Sequence, residues 1–177
     1  GIPSQAPTEN DVRNSVLDLA DLALTAERDH TLRSVLELMD RSEDNLRNQV
    51  DERVETLDIF FSNLSDRDEE NEPKRPADLA NELGELLRIP IRLTQEQLRQ
   101  LAAGDDNLRA ALQSQIEQLF TALTISRVTG AIEMRLEEPL NLKPADLAGL
   151  SWHEITDQVN GAVENLYQQR FHRLRGE

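Results

Sequence analysis

The sequence predicts an all-α protein: a multi-helix bundle with a long N-terminal helix and two similar short-helix/long-helix units. Three observations carry this. Leucine dominates the apolar residues, and the Gln, Glu, Arg and Ala around it are good helix formers. Apolar residues recur at spacings of three and four, while β-branched runs are nearly absent. Cap residues and prolines punctuate the periodic stretches where helices should start and stop.

Residues 1–8, with Pro3 and Pro7 among small polar residues, read as an extended lead-in. Thr8 or Asn10 caps the first helix, with Glu9 and Asp11 near its positive end. Val12, Val16, Leu19, Ala20, Ala23 and Leu24 then line one face of a helix over about 10–28. Asp29 and Thr31 are plausible caps for a second helix over 31–64. Its apolar patches are Leu32, Val35, Leu36 and Met39, then Leu46, Val50, Val54, Leu57, Phe61 and Leu64. The polar run Asp40–Asn45 between them holds neither Gly nor Pro, so either one long helix passes solvent there or two helices meet at a turn.

Ser65–Pro76 reads as a solvated linker. It concentrates acids over Asp66–Glu72 and then carries Pro73 and Pro76, and such a stretch has no apolar surface to bury. The chain thus divides into an N-terminal helical part (1–64), the linker (65–76) and a C-terminal helical part (77–177). In the last part, Pro76 opens a short helix through Leu87, broken at Ile89-Pro90-Ile91. Thr94–Gln97 has the form of a capping box, and its helix ends before Gly104. Asp105 or Asp106 caps a helix that reaches Arg135 unless Thr129-Gly130 stops it. Lys143-Pro144 starts a short helix through Leu147. A second capping box, Ser151–Glu154, opens the last helix, Trp152 to about Arg175.

Two stretches of this part, 90–123 and 139–167, share an apolar pattern. Leu93, Leu98 and Leu101 align with Leu142, Leu147 and Leu150. After a shorter turn, Leu108, Leu112, Ile116, Leu119 and Phe120 align with Ile155, Val159, Val163, Leu166 and Tyr167. This reads as an internal repeat of a helical-hairpin unit, with coincidental leucine spacing as the alternative.

The net charge of −15 disfavours nucleic acid and anionic lipid, and no Lys/Arg run offsets it; Lys74 and Lys143 are the only lysines. With no cysteine, neither a disulfide nor a thiolate metal site is possible, which fits a reducing compartment. No stretch is apolar enough to span a bilayer, and the start lacks the features of a signal peptide. Without an initiator Met, the chain reads as a piece of a larger protein.

Chemistry is hard to find. There is no phosphate-binding G-x-x-x-x-G-K-[ST] loop and no H-E-x-x-H. His30, His153 and His172 stand apart, each flanked by charge, and read as surface or helix-end residues. The acid pairs Glu69-Glu70, Asp105-Asp106 and Glu137-Glu138 fall in the linker, at a cap and before a proline, where solvation and capping explain them. No residue stands out as a nucleophile. No cofactor, metal or catalytic residue is expected, and the chain does not read as an enzyme. The candidate contact residues are Phe60, Phe61 and Trp152. Adjacent phenylalanines on a helix do not both face one core, so one of them should be exposed or covered by a neighbouring helix. Trp152 opens a helix as either a core anchor or a binding hot spot.

The second unit resembles a known family. Asp146-Leu147-Ala148-Gly149-Leu150 supplies D-L-x-x-L after a short turn, Ser151–Glu154 the cap, and Ala162–Gly176 an A-x-E-x-x-Y helix with a basic, Gly-terminated end. This is similar to the helical wing of the SecA preprotein translocase ATPase. Pro90-Ile91 with Leu98 and Leu101 shares it faintly, and Ala26–Phe61 corresponds loosely to the scaffold helix leading into the wing. Two departures stand out: the wing-like unit occurs twice, and none of the motor's ATP-binding motifs is present. The resemblance implies a non-catalytic helical domain of a protein-translocation motor, cytoplasmic and only indirectly at the membrane, contacting the rest of the motor or another protein. The alternative is a free-standing acidic helical scaffold or adaptor that binds a partner helix.

Overall fold

The computed structural model describes residues 6–67 and 74–177. Among them are six helices and no strand: α1 (Glu9–Arg67), α2 (Pro76–Leu87), α3 (Gln95–Ala102), α4 (Asp106–Leu136), α5 (Pro144–Leu147) and α6 (Trp152–Arg175). The all-α expectation holds.

One correction is in α1. The two helices expected over 10–28 and 31–64 are one helix of 59 residues. The cap residues that suggested a break are used otherwise. Thr31 is buried and hydrogen-bonds the Tyr167 hydroxyl at 3.0 Å. Asp29 takes the Arg28 guanidinium at 3.1 Å. The polar run Asp40–Asn45 does not break the helix either, because it contains no residue that resists helical φ/ψ. Thr8 is the N-cap: its Oγ1 accepts from Asp11 N at 3.2 Å, and Asp11 Oδ2 accepts from Thr8 N at 3.0 Å.

Two compact units are present, and they do not follow the division at Ser65–Pro76. One comprises the residues up to Ser42 together with Ser126–Glu177; the other is Glu43–Ile125. Both α1 and α4 contribute to each unit, so a boundary drawn by chain order separates residues that pack together. Of the expected linker, Ser65–Arg67 belong to α1, while residues 68–73 lie outside the described residues.

In the Glu43–Ile125 unit the core is aliphatic around three phenylalanines. Leu57, Phe60, Phe61 and Leu64 of α1 are buried with Leu79, Leu83 and Leu87 of α2, Leu101 of α3, and Leu108, Leu112, Ile116 and Phe120 of α4. Arg109 reaches Asp58 at 2.9 Å, and the Arg53 guanidinium lies 4.8 Å from the Phe120 ring centroid. The caps follow the sequence. Thr94 and Gln97 form a reciprocal capping box, with 2.9 and 3.2 Å bonds. Asp105 Oδ1 accepts from Asn107 N at 2.8 Å ahead of α4. Arg88 ends α2 in the left-handed region at φ 58°, one residue before the expected break.

In the other unit α6 is the most deeply buried element. Ile155, Val159, Val163 and Tyr167 are fully buried, and Leu166 and Phe171 nearly so. Val35 and Met39 of α1 and Val128, Ile132 and Leu136 of α4 complete this core. α4 runs uninterrupted through Thr129-Gly130. Two non-glycine residues with left-handed backbone, Glu137 at φ 56° and Asn141 at φ 59°, turn the chain from α4 toward α5.

Burial at the positions of the proposed repeat is mixed. Leu112 and Val159 are both buried, as are Leu108 and Ile155, and Ile116 and Val163. Leu101 is fully buried, but its counterpart Leu150 is 39% exposed. A repeat would bury Leu101 and Leu150 alike, and they are not buried alike. The reason is helix length: α3 has eight residues and reaches Leu101, whereas α5 has four and stops at Leu147, leaving Leu150 in the turn before Ser151.

Candidate functional site

Of the three residues singled out from the sequence, none is a free contact. Phe60 and Phe61 are both buried, their rings edge-on at 6.1 Å between centroids. Of the two alternatives the sequence left open, exposure of one ring or cover by a neighbouring helix, the second is found. Neighbouring residues stand about 100° apart around a helix, so both are buried where the helix is covered on more than one side. Trp152 is half-buried, and its Nε1 donates to the Met39 carbonyl at 3.0 Å. Ser151 caps the same helix start, accepting from Glu154 N at 3.2 Å. Trp152 thus ties the first turn of α6 to the middle of α1.

The same seam carries a polar network. Tyr167 donates its hydroxyl proton to Glu27 Oε1 at 3.0 Å, which leaves its oxygen to accept from Thr31 Oγ1. Burial pushes the Tyr167 hydroxyl above its ordinary value of 10.0, and the Glu27 carboxylate adds to the shift. Arg170 stacks over the Tyr167 ring at 5.1 Å, donates to Leu136 O at 2.8 Å and reaches Glu27 at 3.4 Å. Arg173 reaches Glu138 at 3.3 Å, and Arg175 donates to both Asp21 carboxylate oxygens at 3.2 Å. Every group in this network has a structural partner; it holds α1, α4 and α6 in register rather than presenting a reactive atom.

Each unit has concave surface. In the first, a groove of about 500 Å³ lies between the Glu138–Leu142 turn and α6. Gly161 and Ala162 are among its lining residues, and Asn141, Gln158, Asn165 and Gln169 supply amides. In the second, a cleft of about 220 Å³ is lined mainly by Leu87, Ile89, Ile91, Leu112, Ile116 and Leu119. Neither brings together an acid, a base and a nucleophile. Among the described residues, no group of three or more His, Asp or Glu side chains could hold a metal ion. His153 and His172 are exposed beside Asp157 and Glu177, at 3.5 and 2.9 Å.

The most unusual surface is on α1, where the sequence placed core residues. Val12, Val16, Leu19 and Leu22 are 51%, 59%, 67% and 68% exposed. Val12, Val16, Leu19 and Ala23 belong to the stripe expected on one face of the first helix, and that face is open to water; Leu22 lies outside that stripe, and Ala20 and Leu24, which belong to it, are part-buried. This segment carries two apolar faces. One, with Leu24, Thr31 and Val35, runs into the core; the other lies roughly 130° around the helix at 100° per residue. The signal was in the sequence: Leu17, Leu22 and Leu24 beside Val12, Val16 and Leu19 make the segment too apolar for one covered face.

Comparison with family models, with curated proteins and with solved structures finds no match for this chain. Among the described residues, no helix is long and apolar enough to cross a membrane.

Proposed function

We propose that this chain is a non-catalytic helical domain that works through protein–protein contacts. The observation that carries the reading is the exposed apolar face of α1 from Val12 to Ala26, on a helix otherwise integrated into a packed unit. A contiguous apolar face left open to water marks an interaction surface.

The setting we favour is a protein-translocation motor. It rests on the likeness of Asp146–Gly176 to the helical wing of SecA. A cytoplasmic location, peripheral to the membrane, goes with that setting. A free-standing adaptor would use the same α1 face for a partner helix. Photo-crosslinking separates the two. With a photoreactive residue at Leu19, and at Glu164 as control, adducts specific to Leu19 should form in extract of the source organism. Translocation-channel or motor components among them support the motor setting. Other defined partners support the adaptor. Equal labelling from both positions would overturn the contact reading.

A further inference from the structure

We infer that the Val12–Ala26 face of α1 docks an amphipathic partner helix whose apolar stripe is bordered by lysine or arginine. The inference deepens the protein-contact reading and rests on it. Val12, Val16, Leu19, Ala23 and Ala26 are all exposed and follow one another at spacings of four and three, with exposed Leu22 beside them. That is the spacing of a coiled-coil seam, about four turns or roughly 21 Å long. The small Ala23 and Ala26 at one end let a second helix approach closely there.

The borders of the stripe decide what kind of helix fits. At 100° per residue, Asp11, Asp18 and Asp29 lie along one edge, and Glu9 and Glu27 along the other; Arg13 is close by, Arg28 pairs with Asp29 and Arg170 with Glu27, which leaves Glu9, Asp11 and Asp18 as the acids without an ion-pair partner among the described residues. Several of these acids are held in place: Asp11 by Thr8, Asp29 by Arg28, and Glu27 by Tyr167 and Arg170. Asp18 has no ion-pair partner among the described residues. A partner helix lying in the seam sets its own flanking residues against these edges, where opposite charges attract and like charges repel.

A second copy of this chain is the wrong occupant on this ground. Either orientation sets mostly acidic edges against mostly acidic edges, on two chains that each carry a net −15. An anionic lipid surface is equally unsuited, since helices that lie on such surfaces carry Lys and Arg beside the apolar face.

The test uses the full chain and three synthetic helical peptides with the same leucine stripe, flanked by Lys, by Gln or by Glu, with binding read by fluorescence anisotropy. The Lys-flanked peptide should bind about tenfold more tightly than the Gln-flanked one at low salt. That advantage should shrink as salt rises from about 0.05 to about 0.5 M. The Leu19→Gln/Leu22→Gln variant changes only exposed side chains and keeps its helical circular dichroism; it should lose binding to all three. Asp18→Asn should weaken the Lys-flanked peptide alone, by about threefold. Equal affinity for the three peptides overturns the basic partner and leaves the contact reading standing. Binding that survives the double variant overturns the site, since general attraction to an acidic protein then explains it. No binding of any peptide overturns the docking helix, and with identical crosslinking at Leu19 and Glu164 the contact reading falls too. Sedimentation showing a dimer that Leu19→Gln dissociates overturns the inference in favour of a second copy.

Discussion

The first turns of α1 and the whole of α6 have the same kind of sequence and opposite fates. Both carry aliphatic residues at three–four spacing between charged residues. In α6 that stripe is buried from Ile155 to Phe171. In α1, Val12, Val16, Leu19 and Leu22 stand in water. Periodicity therefore specifies which side chains share a face, and says nothing about whether another element comes to cover it. α6 is covered because α1 and α4 both lie against it, pinned by Tyr167, Trp152 and Arg170. The open face of α1 is on the side away from those contacts.

The largest expected effects contrast the two regions directly. Leu166→Ala in α6 should cost about 2–5 kcal/mol, because a buried leucine leaves a cavity that its neighbours only partly fill. Leu101→Ala in α3 should cost a similar amount, while Leu150→Ala should cost about 1 kcal/mol or less, its side chain being part-exposed already. Urea denaturation measures all three. Equal losses at Leu101 and Leu150 would restore the equivalence that their exposure denies.

Tyr167→Phe comes next. It leaves Glu27 and Thr31 without a shared partner at the edge of the core, at about 1–3 kcal/mol. It also has a pH signature. The Tyr167 pKa is raised in the folded protein, so its contribution is complete below the unfolded value near 10.0 and is lost as pH rises through the folded value. The native chain should lose stability on this alkaline limb, and the Tyr167→Phe chain should lose less. Parallel alkaline limbs in thermal melts would show that the hydroxyl is not as enclosed as its partners indicate.

Trp152→Phe should cost about 1 kcal/mol, since it removes one hydrogen bond to the Met39 carbonyl while keeping most of the ring packing. The smallest effect belongs to the open face: Leu19→Gln should shift stability by no more than about 0.5 kcal/mol. A larger loss there would mean that the α1 face is covered in solution, and the contrast with α6 would vanish.

Much of the fold was legible in the sequence because it depends on local chemistry. Thr94 and Gln97, Ser151 and Glu154, and Pro76 and Pro144 mark helix starts through bonds and dihedral limits set within a few residues. The apolar faces of α4 and α6 follow from their spacing alone. The candidate surface was less legible. Val12, Val16 and Leu19 were recognised as a stripe, but which of two faces on one helix meets the core is set by distant residues, here Tyr167, Arg170 and Arg175.

What the sequence determined by itself is the helical class, the caps and which residues share a face, because each rests on contacts within about one helical turn. The tertiary structure decided the rest. It joined 10–28 and 31–64 into one helix, since Thr31 found a partner in Tyr167 instead of acting as a cap. It buried Phe60 and Phe61 together, and it exposed Val12 and Leu19. It also grouped the residues up to Ser42 with Ser126–Glu177. Each of these outcomes depends on which helix lies beside which, and that is settled by burial and hydrogen bonds between residues more than a hundred positions apart, such as Met39 and Trp152.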